Sequence, residues 1–175
     1  MRETVVVILH SLDSLDFGPA EQPKPTGDPR GDLVAWLGYQ RHEFLRKLRD
    51  LDADQLAAWS VPPVQLSVLG LVRHMRQMEH VYLAWGLGGG KRTEYYGEDD
   101  YAGGRPETIE DDIRGYLAEV SRSDAAIAAL ATYDSPGLGH GQPLGYTLIK
   151  IVHEYTLHSG QAHMLRFAAL GELRR

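Results

Sequence analysis

Cysteine is absent from this chain of 175 residues. That excludes disulfides, thiolate metal ligands and a cysteine nucleophile, so any thiol chemistry must draw its sulfur from a small molecule. It also fits a reducing cytoplasm, the expected location. Long apolar runs are missing, because no stretch approaches the ~18 residues of a membrane span. The N-terminal VVVIL (residues 5–9) is too short for a signal-peptide core and has no small-residue cleavage site after it. Positive charge is in deficit: 18 Lys and Arg face 24 Asp and Glu, a net charge of −6. This argues against a nucleic-acid surface and against an anionic membrane surface. Strand-like alternation is missing from the body of the chain. What is present is ordinary for a globular domain, with 43% hydrophobic and 24% charged residues.

The most informative stretch is TLIKIVHEYTLHSGQAHMLRFAAL, residues 147–170. It reads as one helix whose inward stripe carries Ile151, Glu154, His158, Ala162, Leu165 and Ala169, spaced by three or four. Glu154 and His158 stand at i and i+4, so they share a face with Cβ atoms roughly 5–6 Å apart. A buried carboxylate is costly unless paired. A divalent metal is one partner, and an ion pair within the helix is the alternative.

Three further amphipathic helices are expected. The first starts near Asp32 as N-cap and carries Leu33, Trp36, Leu37, Gln40, Phe44, Leu48 and Leu51. A short turn from Asp52 carries Leu56 and Trp59, and Pro62-Pro63 stops the chain. The second helix covers about residues 67–86, with Leu71, His74, Met75, Met78, Val81, Tyr82 and Trp85 on its stripe. The third covers about 108–132, with Thr108 and Asp111 resembling a capping box and Ile109, Ile113, Tyr116, Leu117, Val120, Ile127 and Leu130 inward. Residues 87–106 have no periodicity, and a loop of that length is often functional. The fold class is therefore all-α, a four-helix bundle. The long crossover loop between helices 2 and 3 favours an up-down-down-up order, with up-down-up-down as the alternative. Residues 1–30 read as an N-terminal extension and linker, and residues 31–175 as the bundle.

His74, Glu154 and His158 are the polar interruptions of apolar stripes. Two imidazoles and a carboxylate on neighbouring helices form a familiar ligand set with coordination positions left open. Gln161, one turn past His158, is a candidate to orient a ligand. Other histidines fit less well. His153 and His163 lie five residues from His158, which defeats the HExxH spacing. His80 falls six residues after His74, off the stripe. His10, His42 and His140 are expected at the surface without partners. GLGGGK (residues 86–91) is one residue short of a phosphate-binding loop, has Arg92 where Ser or Thr is needed, and follows no strand. It reads as a helix exit. Trp36, Trp59 and the Tyr95-Tyr96 pair suit packing of the long loop, with a dimer face or a substrate pocket as alternatives.

LSVLGLVRHMRQMEHVY (residues 66–82), followed by HEYTLHSGQAHMLR (residues 153–166), resembles the DinB-like superfamily. More narrowly it is similar to the branch of mycothiol-dependent enzymes and their uncharacterised relatives. LGYQRHEFLRKLRDLDADQL (residues 37–56), with a Pro-Pro pair soon after, fits the same branch. The likeness spans about residues 31–171. It implies an up-down-down-up bundle and a divalent metal, zinc or nickel, held by His74, Glu154 and His158. The Glu-x-x-x-His pair is the form found in mycothiol-dependent members. Close relatives often have His-Ala-Asp where this chain has Gln161-Ala162-His163, and Gln161 matches the broader superfamily instead. The implied activity is transfer or isomerisation dependent on a low-molecular-weight thiol. Metal-dependent hydrolysis and a non-enzymatic, stress-linked metal-binding bundle are the alternatives. The expected partners are a small-molecule substrate or thiol, no nucleic acid, no membrane, and a second copy of the chain if it dimerises.

Overall fold

The computed structural model describes residues 15–172, so the readings of Val5–Leu9 and of His10 lie outside the described residues. The fold is an all-α four-helix bundle. α1 spans Pro29–Leu45, the short α2 Ala53–Ala57, α3 Val68–Met78, α4 Trp85–Gly88, α5 Ile109–Ala129 and α6 Leu144–Ala169. Among the described residues no strand forms beyond one isolated bridge between Pro136 and Pro143. No helix there is long and apolar enough to cross a membrane.

α1 begins before the expected Asp32. Asp28 is the N-cap, accepting from the Arg30 amide, and Pro29 takes the first position, where its missing N–H costs nothing. Asp32 instead turns back and accepts from the amide and hydroxyl of Thr26. α2 is closed by a reciprocal capping box of Asp52 and Gln55. Ser67 caps α3 by accepting from the Gly70 amide.

The largest departure from the expected pattern lies between α3 and α4. Residues Glu79–Ala84 form a π-helical segment that joins them. Leu71, His74 and Met75 are buried as the stripe requires. The wider π turn then advances the register. Glu79, His80, Leu83 and Leu87 are turned inward, while Val81, Tyr82 and Trp85 are only half-buried. The α-helical spacing read from sequence fails at that point because one turn holds an extra residue.

The core contains Leu37, Phe44 and Leu48 of α1, Leu71, Val72 and Met75 of α3, Ile113 and Tyr116 of α5, and Leu148, Ile151 and Tyr155 of α6. Glu79 is wholly buried among them. Its charge is met by the Arg41 guanidinium, which donates in a fork at 2.8 and 2.7 Å, and by the Tyr155 hydroxyl at 2.5 Å. Tyr155 also meets the Tyr116 hydroxyl at 2.8 Å. A buried carboxylate persists here because every part of it is paired.

Contacts between helices fix what meets the candidate residues. Arg73 bonds Asp112, and His80 bonds Glu119. Residue numbers therefore rise together, and α3 and α5 run in the same sense. His74 meets His158, whereas Glu79 meets Tyr155. The numbers run opposite ways, so α6 is antiparallel to α3. The connection from Gly89 to Arg105 is tied down by side chains. Arg73 donates to the carbonyls of Asp99 and Asp100. Tyr95 and Tyr96 lie over Arg76 and Arg73 at 4.0 and 3.9 Å and donate to Glu119 and Asp112.

Candidate metal centre

His74 sits two turns into α3 and is buried. Glu154 and His158 stack one turn apart on α6, with His158 buried and Glu154 partly accessible. Antiparallel packing of α3 on α6 brings the three together. One nitrogen from each imidazole and one carboxylate oxygen all lie within 4.8 Å of one another, a group that can hold a metal ion. The two imidazole rings meet edge-on with centroids 4.7 Å apart. His158 Nε2 lies 3.4 Å from Glu154 Oε2.

The far nitrogen of each ring is already engaged. His74 Nδ1 is 2.8 Å from Asp100 Oδ2, and His158 Nδ1 is 2.7 Å from Gln161 Oε1. Both partners accept, so each Nδ1 carries the hydrogen and each Nε2 keeps its lone pair. That is the tautomer an imidazole ligand uses, set by the bond on its other side. Burial holds the His74 pKa below the ordinary imidazole value, and the neighbouring His158 adds to this, while Asp100 opposes it. The ring is therefore neutral, and available as a ligand, to lower pH than a free imidazole.

Asp100 and Tyr101 come from the long loop and carry no periodic signal; only the loop's length hinted at a role. Tyr101 stacks on His74 with centroids 4.3 Å apart and an interplanar angle of 17°. Burial, with the nearby charges of Asp100 and Glu154, pushes its phenol up to about 12. It stays protonated across the physiological range. The approach depends on Gly70, where an added Cβ would lie 2.0 Å from the Tyr101 carbonyl oxygen.

The remaining histidines separate from this group. His153 and His163 are exposed on α6, and the His163 ring rests on Phe167 with centroids 4.5 Å apart. His80 is buried, turned in by the π segment, and bonds Glu119 while accepting from the Thr93 amide. The expectation that His42 and His140 are partnerless surface residues is corrected. His42 bonds the Gly18 carbonyl; His140 bonds the Tyr82 carbonyl and accepts from the Gln142 amide. Both are half-buried, because loops fold over them that sequence spacing does not reveal. The glycine run is a helix exit, with Gly89 and Gly90 at positive φ.

Fold and site together define a class: helical bundles with a two-histidine, one-carboxylate group between facing helices. The chain belongs to the mycothiol-S-transferase family, whose sequence model matches residues 32–171, most of its length. That family is part of the DinB-like superfamily. No curated protein matches the chain.

Proposed function

We propose that this protein is a metal- and thiol-dependent transferase, with His74, Glu154 and His158 as ligands of a divalent ion, zinc or nickel. The single observation that supports it most is the convergence of one nitrogen from each imidazole and a carboxylate oxygen within 4.8 Å. Three electron-pair donors this close together suit a bound cation. A simple His158–Glu154 ion pair is the weaker account, because 3.4 Å is long for a charge-assisted bond.

When bound, the ion supplies the charge that keeps a coordinated small thiol deprotonated at neutral pH. The chain's own residues do the rest. Asp100 and Gln161 fix the ring orientations of His74 and His158. Glu154, at the accessible edge of the group, contributes the only negative charge among the three. Tyr101 covers His74 and carries a hydroxyl that stays protonated. In the transfer, the sulfur's electron pair forms a carbon–sulfur bond, the pair of the bond broken in the electrophile moves to the departing atom or, in an addition, to the neighbouring carbon, and the thiol proton passes to solvent or to that carbon. The sulfur is the substrate's, since the chain has no cysteine.

The test is elemental analysis of purified wild type beside His158→Ala, followed by conjugation assays with and without mycothiol. About one equivalent of metal in the wild type and loss in the variant, with turnover only when thiol is present, is the expected result. Turnover without any thiol would favour metal-dependent hydrolysis. Full activity after complete metal removal would overturn the proposal.

A further inference from the structure

A cleft of about 450 Å³ runs along α6 beside the metal-binding group. Its size is in the range of small-molecule sites, roughly 300–1,000 Å³. Val61 and Val64, from the segment before α3, form one wall, and Leu157, Gly160, Gln161 and Met164 form much of the other. Val64, Leu157 and Met164 are each about half exposed, at 51%, 50% and 51%. Apolar side chains left open to water and converging on one hollow mark a binding surface.

Two observations tie the cleft to the site. Gln161 is both part of its wall and the partner of His158 Nδ1 at 2.7 Å. Gln161 therefore stands between the cleft and His158, whose ring joins it to the three donors; the donors themselves do not line the cleft. The second is Gly160. Glycine in a helix interior is unfavourable relative to alanine and normally has a packing reason. At Gly145 that reason is plain, since a Cβ would lie 2.1 Å from the Tyr133 ring. At Gly160 a Cβ would meet nothing within 4 Å. Its missing side chain leaves open space in the wall of the cleft.

We infer that this cleft takes the hydrophobic part of the electrophile to which the thiol is transferred. The inference rests on the transferase reading for the word electrophile, but the apolar specificity rests on the cleft alone. A water-soluble thiol is the wrong occupant. Apart from Gln161 the named walls offer no polar side chain, and hydroxyls or charges buried there would go unpaired.

The test uses two straight-chain series of increasing length. Saturated alkanols, which cannot react, are titrated calorimetrically into the metal-loaded protein. The matching α,β-unsaturated aldehydes are assayed with mycothiol, whose sulfur adds to the β-carbon while a proton is taken up at the α-carbon. Affinity and kcat/KM should both rise roughly fourfold per methylene until the cleft is filled. Gly160→Leu should project an isobutyl group into the cleft, keep its metal and flatten the length dependence. Val64→Asp on the opposite wall should erase it independently. Ile149→Ser, on an exposed turn of α6 outside the cleft, should leave it unchanged. Length dependence that survives both cleft variants, or is absent from the wild type, overturns the inference. If no aldehyde is conjugated at all, the transferase reading fails by itself, and the alkanol titration still decides the cleft.

Discussion

Asp100 gives the sharpest test of the site, because it comes from a loop and touches no substrate in the proposal. Its Oδ2 holds His74 Nδ1 at 2.8 Å, and the two side chains are only 18% and 10% exposed. The bond is thus shielded from competing water. Removing it frees the ring to change tautomer and leaves a buried N–H unpaired. Outer partners of metal-bound histidines are worth about 10–100-fold in affinity, which is about 1.4–2.7 kcal/mol. Asp100→Ala should weaken zinc binding by that factor. Asp100→Asn separates two effects. Its single amide oxygen can still accept from the ring, while its NH2 takes the place of the Oδ1 that accepts from the Tyr101 amide at 2.8 Å. The ring then keeps its acceptor, and the charge and the bond from the Tyr101 amide are lost. About tenfold or less is expected. The assay is competition of metal-free protein against a chromophoric chelator, with circular dichroism to check the fold. Zinc affinity within about twofold of wild type for Asp100→Ala would refute the argument.

Other expectations follow from the same contacts. Gly70→Ala puts a Cβ 2.0 Å from the Tyr101 carbonyl oxygen. It should displace the loop, lower zinc affinity without altering a ligand, and speed proteolysis within residues 89–105. Arg41→Ala leaves Glu79 charged and buried, and should cost about 3–5 kcal/mol in urea unfolding. Arg41→Met with Glu79→Leu should recover most of that loss. His74 contributes to the pH dependence of the metal-free protein. Its pKa is lower folded than unfolded, so the unfolded chain takes the proton first as pH falls. The stability it contributes is full above the ordinary imidazole value of 6.5 and declines as pH drops through the folded value. Zinc affinity should fall in the same direction, because a protonated ring cannot ligate. Thermal melts and chelator competition between about pH 8 and 5 check both. Loss of stability on raising pH through that window would contradict the assignment.

The sequence by itself determined that the chain is helical and which helix stripes face inward. Helical period is a local property, and Ile151, His158, Ala162 and Leu165 are buried at the spacing it requires. The same spacing singled out His74, Glu154 and His158, because polar residues on apolar stripes are costly and stand out. It could not foresee the π segment, where an extra residue in one turn sent Glu79 and His80 inward. Nor could it distinguish Asp112 and Glu119 as buried residues, because their partners Arg73 and His80 lie on another helix. Only the tertiary structure decided what surrounds the candidate metal ligands. Asp100 and Tyr101 reach His74 because Arg73 grips the loop's carbonyls and Gly70 leaves room for its backbone. Those contacts join residues about 30 positions apart with no periodic relation. They exist only once α3, α5 and the loop between them are packed.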